Sequence, residues 1–381
     1  MLNQGRYQSF FLNLTYKCPM ACKYCYVKQD SIQDMTYEQM DYVVGKILKT
    51  RLGGQTTITF FGGEPAIRID DIEKILDKYY INKETSIQQV RFGIITSFSV
   101  NRDKIIRLAK KYPEFEITVS YDDPQNLQRV YKNNKPIDLT TYNFSPLNKY
   151  GVCILKVLSG KEKDPAKELQ HLIDISIKHN IYVDVSYNKT PYSDIDHKKL
   201  TNGFFEYLSY IEEKLYNEEL KYIPLNIGKD IYHMITYEED RCSGCGMMKE
   251  IFISADGTIS PCSITNMNRD LQINDLSAYE RFIDLESSYL NNDKCRKCDL
   301  KKICNGGCMA ERYERFGSYN TPDPNWCLFI RDIYNAYTLF FNRLSPDRKQ
   351  MFIDKCIAAT IRFDYVCSHS INHNQTIKDD V

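Results

Sequence analysis

The 381-residue chain carries no excess charge of either sign, because 50 lysines and arginines stand against 50 aspartates and glutamates. That balance excludes the one-sided basic footprint of a nucleic-acid binder. The chain also lacks an early apolar run of the signal-peptide kind, and no stretch approaches the roughly 18 uninterrupted apolar residues of a membrane span. A soluble, cytoplasmic protein is expected, with neither membrane nor nucleic acid as partner. Low-complexity tracts and internal repeats longer than one strand–helix unit are missing. Tryptophan is scarce, one residue against 29 tyrosines, an imbalance to which no function attaches.

What the chain has is cysteine. Fourteen thiols without a secretory signal do not make a disulfide scaffold, because the cytosol keeps thiols reduced. Eleven fall into two groups, at 18–25 and 242–327, and clustered thiolates in that setting bind metal. Cys153, Cys356 and Cys367 read as ordinary thiols, the last in a polar tail with His369 and His373.

From residue 9 to about 217 short β-rich runs alternate with helical patterns. Strands are expected at Ser9–Leu14, Thr56–Phe61, Val90–Thr96, Phe115–Ser120, Val152–Leu158 and Tyr182–Tyr187. Helices are expected from Thr36, with Gln39 as capping-box partner, to Gly53-Gly54, and after an Asp70 cap. Others fall near Asn101–Lys111, at Asp164–His179 with Pro165 in its first turn, and around Gly203–Tyr216. Such alternation implies parallel pairing with right-handed crossovers. The fold class is α/β: a partial (β/α)6 TIM-like barrel over 1–220. A linker at 221–240, a loop-rich metal-holding domain at 241–330 with a hairpin turning at Asp256-Gly257, and a helix with a polar tail over 331–381 complete the expected organisation. In such sheets the working residues sit at the carboxyl ends of strands.

Cys18, Cys22 and Cys25 follow the first strand with spacing C-x3-C-x2-C. Three thiolates on one short loop suit a 4Fe–4S cluster with one iron unligated. Zinc is the other reading, but structural zinc takes four ligands, and the closest histidine is His171. With Tyr24 before its third cysteine, the triad resembles the signature of the radical S-adenosylmethionine (SAM) superfamily. The resemblance implies SAM chelated to the open iron, reductive release of a 5′-deoxyadenosyl radical, and hydrogen abstraction from substrate. It also implies that Tyr24 lies against the adenine.

Gly62, Gly63, Glu64 and Pro65, after Phe61, resemble the family's GGEP motif, which binds the methionyl amino group. Glycine allows close backbone approach, and a carboxylate suits an ammonium. Ser120-Tyr121-Asp122-Asp123-Pro124 resembles the family's S-x-D-G-P segment, which implies SAM contacts at Ser120 and Asp122, with Asp123 in place of glycine. Thr96-Ser97 stands where many relatives have Thr-Asn-Gly, implying a contact at Ser97. Arg129 reads either as a partner of the SAM carboxylate or as a solvated surface arginine.

Cys295, Cys298, Cys304 and Cys308 give C-x2-C-x5-C-x3-C, followed by Cys327. Gly257 and Cys262 form G-x4-C, preceded by Cys242 and Cys245. Read alone, these gaps also fit a zinc domain. Behind the triad they resemble the SPASM extension, which holds auxiliary 4Fe–4S clusters in peptide-modifying relatives. The resemblance implies one auxiliary cluster on Cys242, Cys245, Cys262 and Cys308, and another on Cys295, Cys298, Cys304 and Cys327. Three clusters and SAM are then the cofactors. The Cys242–Cys245 gap is shorter than in some relatives, so without Cys242 the first auxiliary cluster has an open iron for substrate.

Together the resemblances imply an enzyme that oxidises or cross-links a peptide or protein side chain. The leading expectation is maturation of a ribosomally made peptide by thioether or carbon–carbon bond formation. The rival is formylglycine formation by the sulfatase-maturing branch, which carries Asp directly after the G-x4-C cysteine, where this chain has Ser263. Oxidation of a small metabolite, and a zinc-bound interaction protein that is no enzyme, are the remaining readings. No residue stands out as a catalytic base. A reductase with flavodoxin, or a ferredoxin, is the expected electron donor. Only 17 residues precede Cys18, too few for a leader-binding domain, which points to the barrel mouth, the SPASM face or a separate leader-binding protein for substrate capture.

Overall fold

The computed structural model describes residues 8–25, 27, 33–50, 56–80, 90–188, 194–235, 250–264, 272, 292–304 and 306–368. Six strands arise where alternation predicts them: β1 Gln8–Thr15, β2 Thr56–Gly62, β3 Val90–Thr96, β4 Glu116–Tyr121, β5 Val152–Leu158 and β6 Tyr182–Tyr187. Each pairs in parallel with the next. This progressive order without reversal is that of a barrel wall. Two further strands, β7 Glu250–Ile253 and β8 Ile259–Ser260, extend the sheet. β7 lies parallel on the free side of β1, Ser9 to Leu12 facing Glu250 to Ile253, and β8 returns antiparallel as the expected hairpin. The resulting order is β6-β5-β4-β3-β2-β1-β7-β8, and the sheet is open.

Helices α1 Tyr37–Thr50, α2 Ile69–Tyr79, α3 Arg102–Lys111, α4 Pro165–His179 and α5 His197–Tyr216 cover the sheet. The Thr36 capping box forms as expected: Gln39 N–H donates to Thr36 Oγ1 at 3.2 Å, and Thr36 N–H to Gln39 Oε1 at 2.8 Å. The expected stop of α1 at Gly53-Gly54 lies outside the described residues. Asp164 caps α4 through Lys167 N–H, with Pro165 opening the helix. Two starts differ from expectation. Asp70 does not cap α2; a 3-10 turn over Pro65–Arg68, capped by the Glu64 carboxylate, feeds the helix from upstream. α5 begins six residues before Gly203, because Asp196 caps it through Lys199 N–H.

The segment expected to link the halves contains α6 Leu225–Ile235, whose Ile227 and Ile231 are buried in the main core. Short helices α7 Asp293–Arg296, α8 Lys301–Cys304 and α9 Met309–Phe316 follow, then α10 Pro324–Arg343 and α11 Pro346–Ser368. α10 packs on α5 and α11 on α6. Asp230 of α6 accepts the phenols of Tyr187 (2.6 Å) on β6 and Tyr337 (3.1 Å) on α10, tying barrel and C-terminal helices together. One apolar cluster runs from Phe10 to Cys356. Among the described residues no helix is long and apolar enough to cross a membrane.

Candidate active site and auxiliary thiol cluster

The loops after β1, β2, β3 and β4 meet at the carboxyl end of the sheet. The β4–β5 connection, 122–151, contains no α-helix. It crosses this end instead and pairs with the cysteine loop: Ala21 N–H donates to Val130 O at 2.7 Å, Lys23 N–H to Gln128 O at 2.9 Å and Lys132 N–H to Pro19 O at 3.0 Å. Cys18 and Cys22 are partly buried and Cys25 is exposed. Burial pushes the Cys18 thiol up to about 12, opposed by the Met20 N–H that donates to its sulfur. A bound cluster inverts that balance, because a coordinating thiol is deprotonated outright.

The Gly62-Gly63-Glu64 turn is clamped onto the strand that leads into the cysteines. Gly63 N–H donates to Thr15 O at 2.7 Å, and Glu64 N–H to Lys17 O at 2.9 Å. A Cβ on Gly63 would meet Lys17 O at 2.5 Å, and Gly62 adopts φ +134° against Asn13 and Thr15. Glycine is required at both positions by contact with backbone.

Glu64 is fully buried at 0% exposure, and its carboxylate is a hub. Oε1 accepts from Ala66 N–H (3.1 Å) and Thr96 Oγ1 (2.7 Å); Oε2 accepts from Ser97 N–H (2.8 Å) and the Ser97 hydroxyl. A carboxylate has roughly four acceptor directions, and four donors take them here. Ser97 Oγ also lies 2.6 Å from Ser99 Oγ. Phe98, next in the chain, holds φ +57°. A bulky residue rarely adopts this conformation, and here it is anchored against the rings of Tyr142 and Phe144. The Gly of the family's Thr-Asn-Gly would fall at this residue.

Asp122 is the second hub. Its Oδ2 accepts the Tyr24 phenol and faces Arg129 Nε at 3.5 Å, while Oδ1 faces Lys156 Nζ at 3.3 Å. Arg129 is therefore no solvated surface residue. Burial alone would lower its pKa, but Tyr24, Cys22 and Asp122 together raise it. Burial raises the Tyr24 phenol further. Lys156 is 1% exposed and also reaches Glu168 (3.1 Å) and Glu162 (3.8 Å). Sequence reasoning missed it, although the signal was available: Val152, Ile154 and Leu158 share its face of β5, so a lysine occupies a core position. Ser120 alternates with buried Val119 and Tyr121 and faces the opposite side of β4. Asp123, at the expected glycine, instead caps a 3-10 turn through Gln125 N–H at 2.7 Å.

The second thiol group divides in space. Cys262 and Cys308 are buried together with Ala310, while Cys242 and Cys245 lie outside the described residues. Cys295, Cys298, Cys304 and Cys327 lie within electrostatic reach of one another: partial burial, then Cys304 and Cys295, push the Cys327 thiol up to about 11. Among the described residues no three His, Cys, Asp or Glu side chains close on a single ion. A four-iron cluster makes a different demand, since each thiolate binds its own iron. Thiol-only donor sets of three and four fit that group.

Residues 12–154 match the radical SAM superfamily, so the chain carries a radical SAM domain. It is 25% identical over 379 residues to the radical SAM cyclopropyl synthase TigE of Paramaledivibacter caminithermalis, an overlap of 90% of this chain and 74% of that protein. It is 22% identical over 346 residues to a cysteine-type anaerobic sulfatase-maturating enzyme of Clostridium perfringens, covering 77% and 86%. Two solved structures share its fold. AdoMet-bound anSMEcpe matches with TM-score 0.70 and 16% identity over 93% of this chain and 98% of that one. Streptococcus suis SuiB bound to precursor peptide SuiA matches with TM-score 0.56 and 16% identity over 84% and 76%.

Proposed function

We propose that this chain is a radical SAM enzyme that modifies a ribosomally made peptide, closing a thioether or carbon–carbon bond. The observation that carries the reading is the clamp of the Gly62-Gly63-Glu64 turn onto the strand entering Cys18, two amide donations of 2.7 and 2.9 Å. It fixes a cluster loop and an amine-binding carboxylate in one unit. When bound, SAM and the cluster on Cys18, Cys22 and Cys25 supply the radical chemistry.

The chain's own residues bind and orient. Gly62, Gly63 and Pro65 shape the turn, and Glu64 faces the methionyl ammonium. Because its acceptor directions are taken, one donor must yield to that ammonium; the Ser97 hydroxyl can turn its proton to another acceptor, Ser99 Oγ at 2.6 Å. Asp122 and Arg129 hold Tyr24 for the adenine, and Ser120 lines the inner face of β4. Cys242, Cys245, Cys262 and Cys308 in one set, and Cys295, Cys298, Cys304 and Cys327 in the other, would hold auxiliary clusters, which would supply an acceptor for the leftover electron or a binding point for substrate. The electron donor is a reductase with flavodoxin, or a ferredoxin.

The relative TigE, a cyclopropyl synthase, lends support, since a cyclopropane is closed by a carbon–carbon bond. The sulfatase-maturating relative carries the rival reading, against which Ser263 stands in place of Asp. The test is anaerobic reconstitution followed by SAM and a reductant. Wild type should hold about twelve iron atoms and release 5′-deoxyadenosine, and Cys22→Ala should not release it. Undiminished release from Cys22→Ala overturns the assignment. A sulfatase-type cysteine peptide converted to a hydrazine-reactive aldehyde would move the substrate reading to the rival.

A further inference from the structure

Arg312, on α9, is 1% exposed and is among the largest fully buried side chains of the described residues. Its Nη1 donates to Tyr319 O at 3.2 Å, its Nη2 lies 3.9 Å from Cys295 Sγ, and its Nε has no partner. No carboxylate among the described residues pairs with it. A buried charge without a counterion costs several kcal/mol, so an anion belongs beside it. Cys304 and Cys327 feel the same guanidinium charge as Cys295, Cys298 joins them by its effect on Cys327, and a thiolate-ligated cluster is such an anion. Trp326, also buried, donates its Nε1–H to Cys304 Sγ at 3.2 Å. Gly307 makes room for the indole: its φ is +71°, and a Cβ there would meet the Trp326 ring at 2.6 Å.

We propose that Arg312 and Trp326 raise the reduction potential of the auxiliary cluster held by Cys295, Cys298, Cys304 and Cys327. The proposal rests on the reading of those four cysteines as cluster ligands. An added electron makes the cluster more negative, and a buried cation and a hydrogen bond to sulfur both favour that state. Neither side chain touches substrate; they are positioning residues that act through the cluster and ease its acceptance of an electron.

The test is a redox titration followed by electron paramagnetic resonance in a Cys18→Ala, Cys22→Ala, Cys25→Ala parent, which removes the SAM-site signal. The signal abolished by Cys327→Ala identifies the cluster. Trp326→Phe and Arg312→Gln should keep the parent's iron and shift the midpoint negative. A tenfold fall in reduced cluster at fixed potential corresponds to about 59 mV. Arg312→Lys, which keeps the charge, should restore most of the shift. Unchanged midpoints at full iron in both variants overturn the proposal. If Arg312→Gln loses iron, Trp326→Phe decides alone, and an unchanged midpoint there overturns it. A parent with no signal sensitive to Cys327→Ala overturns the cluster reading itself.

Discussion

Lys156 and Asp122 meet inside the protein, with Lys156 Nζ 3.3 Å from Asp122 Oδ1 and both side chains all but excluded from solvent. The pair joins β5 to the cysteine loop, because the other oxygen of Asp122 takes the Tyr24 phenol. Burial alone would lower the Lys156 pKa, but Asp122, Glu162 and Glu168 outweigh it and keep the ammonium charged.

Lys156→Met removes the one cation among the described residues that faces all three carboxylates. Breaking a buried pair costs about 3–5 kcal/mol, and urea unfolding should register a loss of that order. SAM affinity should fall as well, since Asp122, the partner of the Tyr24 phenol, loses one of its two cations. Unaltered stability would show that Arg129 alone balances the cluster of acids.

Gly63→Ala drives a Cβ into the Lys17 carbonyl and pushes the Glu64 turn off the cysteine loop. A misplacement near 1 Å costs on the order of 100-fold in rate. Release of 5′-deoxyadenosine should fall by about that factor while iron content stays near wild type. Normal turnover would mean that the clamp is dispensable.

Phe98 combines a left-handed backbone with a buried ring. Phe98→Ala should lose about 3–5 kcal/mol of stability through the cavity. Phe98→Gly loses the same ring but relieves the backbone, so it should be the more stable of the two by about 1 kcal/mol. Equal or reversed stabilities in thermal unfolding would argue against stored strain.

Asp184 supplies a pH dependence. Burial lifts its carboxyl from 3.8 to about 6, against the amides of Asn226 and Val185 and the charge of Lys229. The folded state therefore binds more protons than the unfolded chain between those values, and this site's contribution to stability falls as pH rises through the window. Asp184→Asn removes that slope. Relative to wild type it should gain about 2.4 kcal/mol between pH 4 and pH 7, read by urea unfolding at both. A constant difference between the two proteins would refute the shift.

The cysteine triad, the Gly-Gly-Glu-Pro turn, the six barrel strands, the Thr36 capping box and the Pro165 first turn were legible in the sequence alone. Each depends on residues a few positions apart, where spacing, alternation and capping chemistry act locally. Tertiary structure alone decided the rest: β7 continuing the barrel sheet beside β1, the 128–132 segment bracing the cysteine loop, and α6 joining the main core. It also placed Arg129, Lys156 and Arg312 inside. Pairing across 100 or more residues leaves no local period, and a buried charge is stable only where distant partners or a bound anion balance it.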